Sequence, residues 1–496
     1  MMCTNTEGKH LAAVVAVLLA FGVPPAPAQD EVLIKLYGEA RQAEAAGNYT
    51  AAIQDYKRIV ELRPSMAEAH ANLGNLYYAQ GQWDQAATSF KNAIRLKPSL
   101  AAPHFLLGML SFKARDFERA VSYLKEAERL DPANVLAPLY LGYTFYAQDR
   151  HQQAAAMLEK VVAADEKNLD AWYHLSKLHG QLSKQYFERL QTKHANSFFT
   201  ALARSHFFES ATNWEQAGQE LSKAIALKPD SRELKQRLAW LAQRTAGDNT
   251  PSPPQDEFSG STRYFYTPPE GDTIRAGYTS ETLRANKIRD SKSDSADSLY
   301  ELADAHQALS FLSSLWVLQT DPDSYRSHEL RGEALEAAGK MDEAIAEYRR
   351  AVEIKPELQT VHFTIGNIEW RRGRTEEALA ELTAELKLNP NDPRSHYESG
   401  DILLSENKLG EAEKHFQQAL KFSPEMTEAH LALERIANAR GDLPTAILHL
   451  KRAAVLDPAS STPHYRLWLI YRKLGRSAEA QQERDKFETL KASERK

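Results

Sequence analysis

The sequence contains very little cysteine and no excess of charge of either sign. Cys3 is the single cysteine in 496 residues, which excludes an intramolecular disulfide, a CxxC redox pair, a four-cysteine zinc site and a CxxCH haem attachment. The 61 Lys and Arg residues are outnumbered by 67 Asp and Glu residues, and the net charge is -6. Because nucleic-acid and anionic-membrane ligands require a basic surface, we expect neither of them as a partner.

The sequence also lacks the common motifs of catalysis and of cofactor binding. It contains no GxSxG, GxxxxGK[ST] or GxGxxG motif, and His328-Glu329 does not continue to HExxH because Gly332 occupies the place of the second histidine. Outside the repeats described below, no stretch is long enough for a separate catalytic domain. We therefore expect a protein that is not an enzyme and that binds no cofactor and no metal.

The N-terminus has the pattern of a secretory signal. An apolar run over residues 11–23 is followed by Ala26-Pro27-Ala28 before Gln29, and the run is shorter than the roughly 20 residues that span a bilayer. Cys3 precedes the run, so no lipoprotein anchor is expected. The pattern predicts a signal peptide over residues 1–28, cleaved after Ala28, and a periplasmic or secreted protein whose mature form is not inserted in a membrane.

Proline recurs every 34 residues in two series, and a period of that length is typical of a solenoid. The two series are Pro64, Pro98 and Pro132, then Pro322, Pro356, Pro390, Pro424 and Pro458. Between the first two prolines, the residues at the characteristic positions are His70, Leu73, Gly74, Tyr77, Gly81, Ala86, Phe90 and Ala93. This pattern resembles the tetratricopeptide repeat. The resemblance implies an all-α, right-handed superhelical solenoid of antiparallel helical hairpins.

About 12 such units are predicted in two arrays. Residues 29–246 form the N-terminal array, and residues 295–496 form the C-terminal array with a polar capping helix at its end. Residues 247–294 lack the period and are rich in proline, glycine and serine, which predicts a linker. The linker contains the aromatic cluster Tyr264-Phe265-Tyr266, which we expect to dock on the repeats.

Two units are shorter than the others. Residues 169–197 lack the turn between the two helices, so this unit forms either a tight hairpin or one merged helix. Residues 296–324 match it at a constant offset of 127. The matched pairs are Tyr173 and Tyr300, Leu175 and Leu302, His179 and His306, Leu182 and Leu309, and Ser183 and Ser310. The match predicts an internal duplication.

Positions are counted from the first residue of each repeat, and the repeats begin at residues 33, 67, 101, 135 and 169 and at residues 325, 359, 393, 427 and 461. Seven histidines share position 4 of their repeats. They are His70, His104, His328, His362, His396, His430 and His464. Neighbouring repeats stack their helices about 8 to 10 Å apart, whereas zinc holds its nitrogen ligands at about 2 Å. We therefore interpret these histidines as packing residues and not as a metal ladder.

Positions 5, 9 and 12 line the concave face in proteins of the family that the sequence resembles. In the third to fifth units they include Phe105, Met109, Phe112, Leu139, Tyr143, Tyr146 and Tyr173. These residues indicate either a peptide-binding groove or ordinary core packing. The equivalent residues of the second array are Glu329, Glu333, Glu336, Phe363, Asn367, Trp370, Tyr397 and Asp401, which predict a more polar groove with a preference for a basic ligand.

Two functions fit these features. The first is a non-catalytic interaction scaffold of the bacterial cell envelope that binds partner proteins or peptides in its grooves. The alternative is an accessory subunit of an envelope enzyme complex that makes or exports polysaccharide or cuts the cell wall.

Overall fold

A computed structural model describes residues 27–247 and 268–494 of the chain. Over these ranges the chain forms 24 α-helices and no β-strand. The predicted signal peptide up to residue 26 and the aromatic cluster Tyr264-Phe265-Tyr266 lie outside the described residues. The all-α fold predicted from the 34-residue period is confirmed.

The chain divides into two compact units, Met1–Trp316 and Val317–Lys496. The helices that begin in the first unit are α1 (Pro27–Ala45), α2 (Tyr49–Leu62), α3 (Ala67–Ala79), α4 (Trp83–Leu96), α5 (Ala101–Lys113), α6 (Phe117–Leu130), α7 (Leu136–Ala147), α8 (His151–Ala164), α9 (Leu169–Lys193), α10 (Phe198–Ser210), α11 (Trp214–Leu227), α12 (Arg232–Thr245), α13 (Asp272–Asp290) and α14 (Ala296–Thr320).

The second unit contains five further helical hairpins. Its helices are α15 (Tyr325–Ala337), α16 (Met341–Ile354), α17 (Val361–Arg371), α18 (Thr375–Leu388), α19 (Pro393–Ser405), α20 (Leu409–Phe422), α21 (Thr427–Ala439), α22 (Leu443–Leu456), α23 (Thr462–Lys473) and α24 (Ser477–Glu494). None of the helices in the described ranges combines the length and the apolar sequence that a membrane crossing requires.

A recurring geometry joins the two helices of each hairpin. The chain reverses through a residue with positive φ, such as Gly81 at φ 72°, a conformation that glycine adopts at no steric cost. Earlier in the same hairpin, Gly74 of α3 leaves room for Phe90 of α4, because a Cβ atom at residue 74 would lie 2.5 Å from Phe90 Cε1. The glycine therefore sets how closely the paired helices approach.

The two short units are single helices. Helix α9 and helix α14 each contain 25 residues without an internal turn, because the residues that would form the turn are missing. The two helices run antiparallel: Ser183 Oγ donates to the Ala303 carbonyl at 2.7 Å, and Ser310 Oγ donates to the Ser176 carbonyl at 2.7 Å. Ser310 lies 127 residues after Ser183, and Ala303 lies 127 residues after Ser176, so the two contacts are equivalent in the two copies of the duplication. The duplicated segments therefore pack about a local pseudo-two-fold axis.

Helix α13 lies within the segment that the sequence predicted as a linker. Ile274, Tyr278 and Ala285 recur at helical spacing, and all three are buried. Arg284 bonds to the carboxylates of Glu301 and Asp304 on α14. The proline-rich and serine-rich flanks obscured this 19-residue helix in the sequence, and this part of the predicted linker is in fact packed structure.

Candidate binding groove

Five aromatic rings form a continuous strip across the first helices of three successive repeats. Phe105 and Phe112 of α5 meet Tyr140 of α7 with ring centroids 5.6 and 6.3 Å apart, in edge-to-face geometry. Tyr140 in turn lies 5.6 Å from Tyr143, and Tyr143 lies 4.6 Å from His174 of α9. We call these five residues the aromatic strip. All of them are partly exposed to solvent.

The predicted groove residues divide into accessible and buried ones. Met109 is partly exposed like Phe105, Phe112 and Tyr143, and Tyr146 is 39% exposed. Leu139 and Tyr173 are only 7% and 9% exposed, so these two belong to the core. In the fourth repeat, α7 is rotated so that position 5, Leu139, faces the core and position 6, Tyr140, faces the solvent.

Two members of the aromatic strip were missed by sequence reasoning. Tyr140 contacts three other members of the strip, and His174 ends it. Each follows a predicted residue by one position, namely Leu139 and Tyr173. The signal was present in the sequence as aromatic residues at position 6, but a fixed rule of positions 5, 9 and 12 overlooked it.

A second set of aromatic contacts borders the strip at the turns of three successive hairpins. Position 12 pairs with position 17 in each, as Tyr78–Trp83 at 5.2 Å, Phe112–Phe117 at 6.0 Å and Tyr146–His151 at 5.7 Å. Lys113 lies over the Trp83 ring at 3.9 Å, which is a cation–π distance. The aromatic surface therefore extends from α3 to α9 and is partly covered by cations.

The Tyr140 and Tyr146 hydroxyl groups remain protonated. Burial raises the pKa of Tyr140, and Tyr78 and Asp170 raise it further. Burial also raises the pKa of Tyr146, with a contribution from Asp149. These phenols therefore keep both a donor and an acceptor at physiological pH. A ligand in the groove can form hydrogen bonds with them while it packs against the ring faces.

The predicted residues of the second array are less available than their sequence suggests. Glu329 is buried, and it accepts a hydrogen bond from Arg326 at 2.7 Å. Glu336 accepts a hydrogen bond from the Tyr348 hydroxyl at 3.2 Å and lies 3.7 Å from Arg371. The expectation that Glu329 lines an open groove is therefore wrong. Its carboxylate can be buried because the adjacent Arg326 guanidinium compensates its charge.

The other members of that set are half-buried, and several of them also meet arginines. The Arg394 guanidinium lies 4.8 Å from the centre of the Phe363 ring, and Arg435 lies 4.0 Å from Asp401. Glu333, Asn367, Trp370 and Tyr397 are half-buried as well. Arg435, like Arg326 and Arg371, offsets part of the negative charge that the sequence indicated. The preference for a basic ligand stays a prediction.

Comparisons with known families agree with this architecture. A TPR repeat model matches residues 45–81 and 74–114, and two further tetratricopeptide repeat models match residues 111–178 and residues 292–358, 363–427 and 406–461. Together the matches include more than half of the chain. The chain belongs to the tetratricopeptide repeat family.

Several solved tetratricopeptide repeat structures resemble the chain weakly. MamA from Desulfovibrio magneticus RS-1 is 18% identical with a TM-score of 0.31, covering 35% of this chain and 96% of that one. YrrB, described as a TPR protein with an unusual peptide-binding site, is 19% identical with a TM-score of 0.29, covering 49% and 100%. The Cut9–Hcn1 complex is 13% identical with a TM-score of 0.32, covering 98% and 96%. No curated protein matches the sequence.

Position-4 histidines of these tetratricopeptide repeats form hydrogen bonds through their rings, and in His396 and His430 a bond on each side of the ring makes a clip. Nε2 of His70 and of His430 donates to the carbonyl of the proline six residues earlier, at 3.0 and 3.2 Å. On the other side of the ring, Nδ1 faces position 23 of the same repeat, as in the 2.7 Å contact of His362 with Glu381. In two repeats a histidine replaces that carboxylate, and the contacts are His396–His415 and His430–His449.

Where Nε2 donates to the proline carbonyl, the bond joins the loop between two tetratricopeptide repeats to the hairpin that follows. The packing role predicted for the histidines therefore includes specific hydrogen bonds that the sequence did not indicate. In the described parts of the chain, no group of three or more His, Cys, Asp or Glu side chains is placed to hold a metal ion.

Proposed function

We propose that the protein is a non-catalytic scaffold that binds segments of partner proteins along the aromatic strip of its first unit. The observation that carries this proposal is the strip itself, Phe105, Phe112, Tyr140, Tyr143 and His174. A partly exposed row of rings across three repeats is unusual for a surface that contacts only water. Stacked hairpins supply the extended surface that such a segment requires.

The chemistry of the strip favours a segment with large apolar or aromatic side chains. Ring faces at 4.6 to 6.3 Å from one another offer edge-to-face positions for further rings. The Tyr140 hydroxyl can bond to a peptide backbone, and Lys113 on the Trp83 ring adds a cation at one border. A ligand of this kind buries apolar surface and keeps its polar groups paired.

We further propose that the protein acts in the bacterial cell envelope. The support is the apolar run over residues 11–23 and the Ala26-Pro27-Ala28 sequence that follows it. Helix α1 begins at Pro27, so cleavage after Ala28 removes two residues from its first turn. The first buried core residue of the helix, Leu33, lies beyond that site and stays in place.

Peptide display on the purified mature protein tests the binding proposal. A library of random peptides should yield ligands enriched in Phe, Tyr, Trp and Leu. The double variant Phe112→Ala and Tyr143→Ala should weaken binding of these ligands at least tenfold in calorimetry, because truncating a central aromatic contact commonly costs more than about 1.4 kcal/mol.

The matched control is Phe207→Ala, which removes an aromatic ring that is 58% exposed on α10 and lies outside the strip. This control should bind the selected peptides as the unmodified protein does. Circular dichroism should show that all variants keep their helix content. Equal affinity of the double variant and the unmodified protein contradicts the proposal, as does a library without apolar enrichment.

A further inference from the structure

Two histidines meet in the interior of the first unit, at the centre of the pseudo-two-fold contact between α9 and α14. His179 and His306 are 1% and 6% exposed, and their rings stack with centroids 5.2 Å apart. The Nδ1 atoms of the two rings are 3.0 Å apart. The duplication therefore places equivalent residues of its two copies directly against each other.

Hydrogen-bond geometry requires that this contact contain one proton. A distance of 3.0 Å between two ring nitrogens is a hydrogen bond in which one Nδ1 donates and the other accepts. On its other side, His179 Nε2 lies 3.0 Å from the Tyr278 hydroxyl of α13. With both imidazoles neutral, the hydroxyl and the two rings form a chain in which each hydrogen bond has one donor and one acceptor.

Full protonation is incompatible with the same geometry. When both rings are imidazolium ions, both Nδ1 atoms carry protons, and two N–H groups face each other across a distance that suits one shared proton. The two positive charges are also buried together, and no carboxylate of the described residues is in hydrogen-bond contact with either ring. Separation of the two rings relieves both the repulsion between the facing N–H groups and the cost of burying two positive charges.

The groups around the pair do not compensate such charges. Tyr186 of α9 stacks on His306, with ring centroids 5.5 Å apart. Tyr278 of α13 contacts His179 edge to face. The charged groups that act on this cluster are Arg289 of α13, which disfavours a cation at His306, and Glu159 of α8, which acts on the Tyr278 hydroxyl. The surroundings therefore favour the neutral pair.

We propose that the His179–His306 contact is an acid-sensitive fastener that holds α9, α13 and α14 together at neutral pH and releases them in acid. The hairpins at the N-terminal end of the unit, such as α3–α4, have a separate hydrophobic core, so we expect them to stay folded when the contact opens. The inference does not rest on the peptide-binding function, because none of these three helices is needed to form the α5 and α7 part of the aromatic strip.

The pKa values of the pair set the pH range. Burial, with a smaller effect from His306, lowers the pKa of His179 well below its ordinary value of 6.5. Burial and Arg289 lower the pKa of His306 to about 4. Since both folded pKa values lie below the unfolded value, the contact is fully stable above about pH 6.5 and loses stability as the pH falls toward 4.

Hydrogen exchange on the full chain, corrected for intrinsic exchange rates, tests this proposal. Each proton taken up on opening changes the opening equilibrium about tenfold per pH unit. Amides of residues 169–193, 272–290 and 296–320 should therefore become at least about 100-fold less protected between about pH 6.5 and 4.5. Residues 67–96, which form the α3–α4 hairpin, should change much less.

The variant His306→Asn removes one titrating ring and keeps a neutral amide that can donate to His179. It should reduce the number of protons taken up when α9, α13 and α14 open by about one. This number is the slope of the logarithm of the opening equilibrium constant against pH. The control variant is His415→Asn, which alters the similar His396–His415 contact, 3.3 Å long and half-buried, in the second unit. The control should leave the exchange of these three helices unchanged.

Two results overturn the proposal. One is a protein in which α9, α13 and α14 keep the same protection from about pH 6.5 to 4.5, or lose it together with the α3–α4 hairpin. The other is a folded His306→Asn protein with the same pH slope as the unmodified protein. If His306→Asn does not fold at neutral pH, the unmodified protein provides the test: the proposal holds only if α9, α13 and α14 lose protection at a higher pH than the α3–α4 hairpin does.

Discussion

The variant Gly74→Ala probes the closest approach between the helices of one hairpin. An alanine Cβ atom at residue 74 would lie 2.5 and 2.6 Å from Cε1 and Cδ1 of Phe90, closer than real Cβ contacts allow. Phe90 is fully buried, so its ring cannot move into solvent. Overpacking of this kind costs about 1 to 3 kcal/mol. Alanine gains about 1 kcal/mol of helix propensity over glycine, and the net expected effect is destabilisation of up to about 2 kcal/mol.

Two matched glycines make the test quantitative. Gly38 lies within the first helix of the preceding repeat, and a Cβ atom there would have no neighbouring atom within 4 Å, so Gly38→Ala should stabilise the protein by up to about 1 kcal/mol. Gly366 is intermediate, because a Cβ atom there would lie 3.1 Å from Leu382 Cγ. Gly366→Ala should therefore change the stability less than either of the other two variants.

Urea denaturation followed by circular dichroism measures these differences, and hydrogen exchange of residues 67–96 localises the effect. Local measurement matters because repeat arrays can lose single units while their neighbours remain folded. If Gly74→Ala raises the free energy of unfolding as much as Gly38→Ala does, the tight contact with Phe90 is absent and the reasoning about the hairpin is refuted.

Two further predictions concern a buried ion pair and the N-terminus. Arg237 and Glu209 are both fully buried and 2.8 Å apart, so Arg237→Met should cost about 3 to 5 kcal/mol in urea denaturation because it removes the guanidinium that pairs with a buried carboxylate. Adding Glu209→Leu should recover most of that loss, and a double variant as unstable as the single one contradicts this account. Mass spectrometry of the exported protein should give an N-terminus at Gln29, whereas retention of residues 1–28 contradicts the predicted cleavage.

Several features of this protein could be predicted from the sequence because they repeat. Pro64 and Pro98 end their hairpins one period apart, and Gly74 and Phe90 meet within one hairpin. The contacts behind these features join residues that lie within one repeat of each other. A periodic sequence repeats the same local contact in every unit, so the pattern alone indicated the helical hairpins and the family resemblance.

Part of the candidate groove was also accessible from the sequence. Phe105, Phe112 and Tyr143 were predicted, and they lie on the aromatic strip. Leu139 was a candidate for either the groove or the core; it is buried, and its neighbour Tyr140 is partly exposed instead. A rule based on position cannot distinguish these two residues, because the rotation of a helix about its axis depends on the side chains of the helices packed against it.

Only the tertiary structure decided how the irregular middle of the chain is arranged. The sequence paired His179 with His306 by similarity, and the structure shows that the two residues touch. Helix α13 was predicted as linker, yet its Tyr278 reaches His179 across 99 positions of sequence. Such contacts leave no periodic trace, because each occurs once and joins segments far apart in the chain. Their existence follows from the packing of three particular helices, which no local pattern of residues encodes.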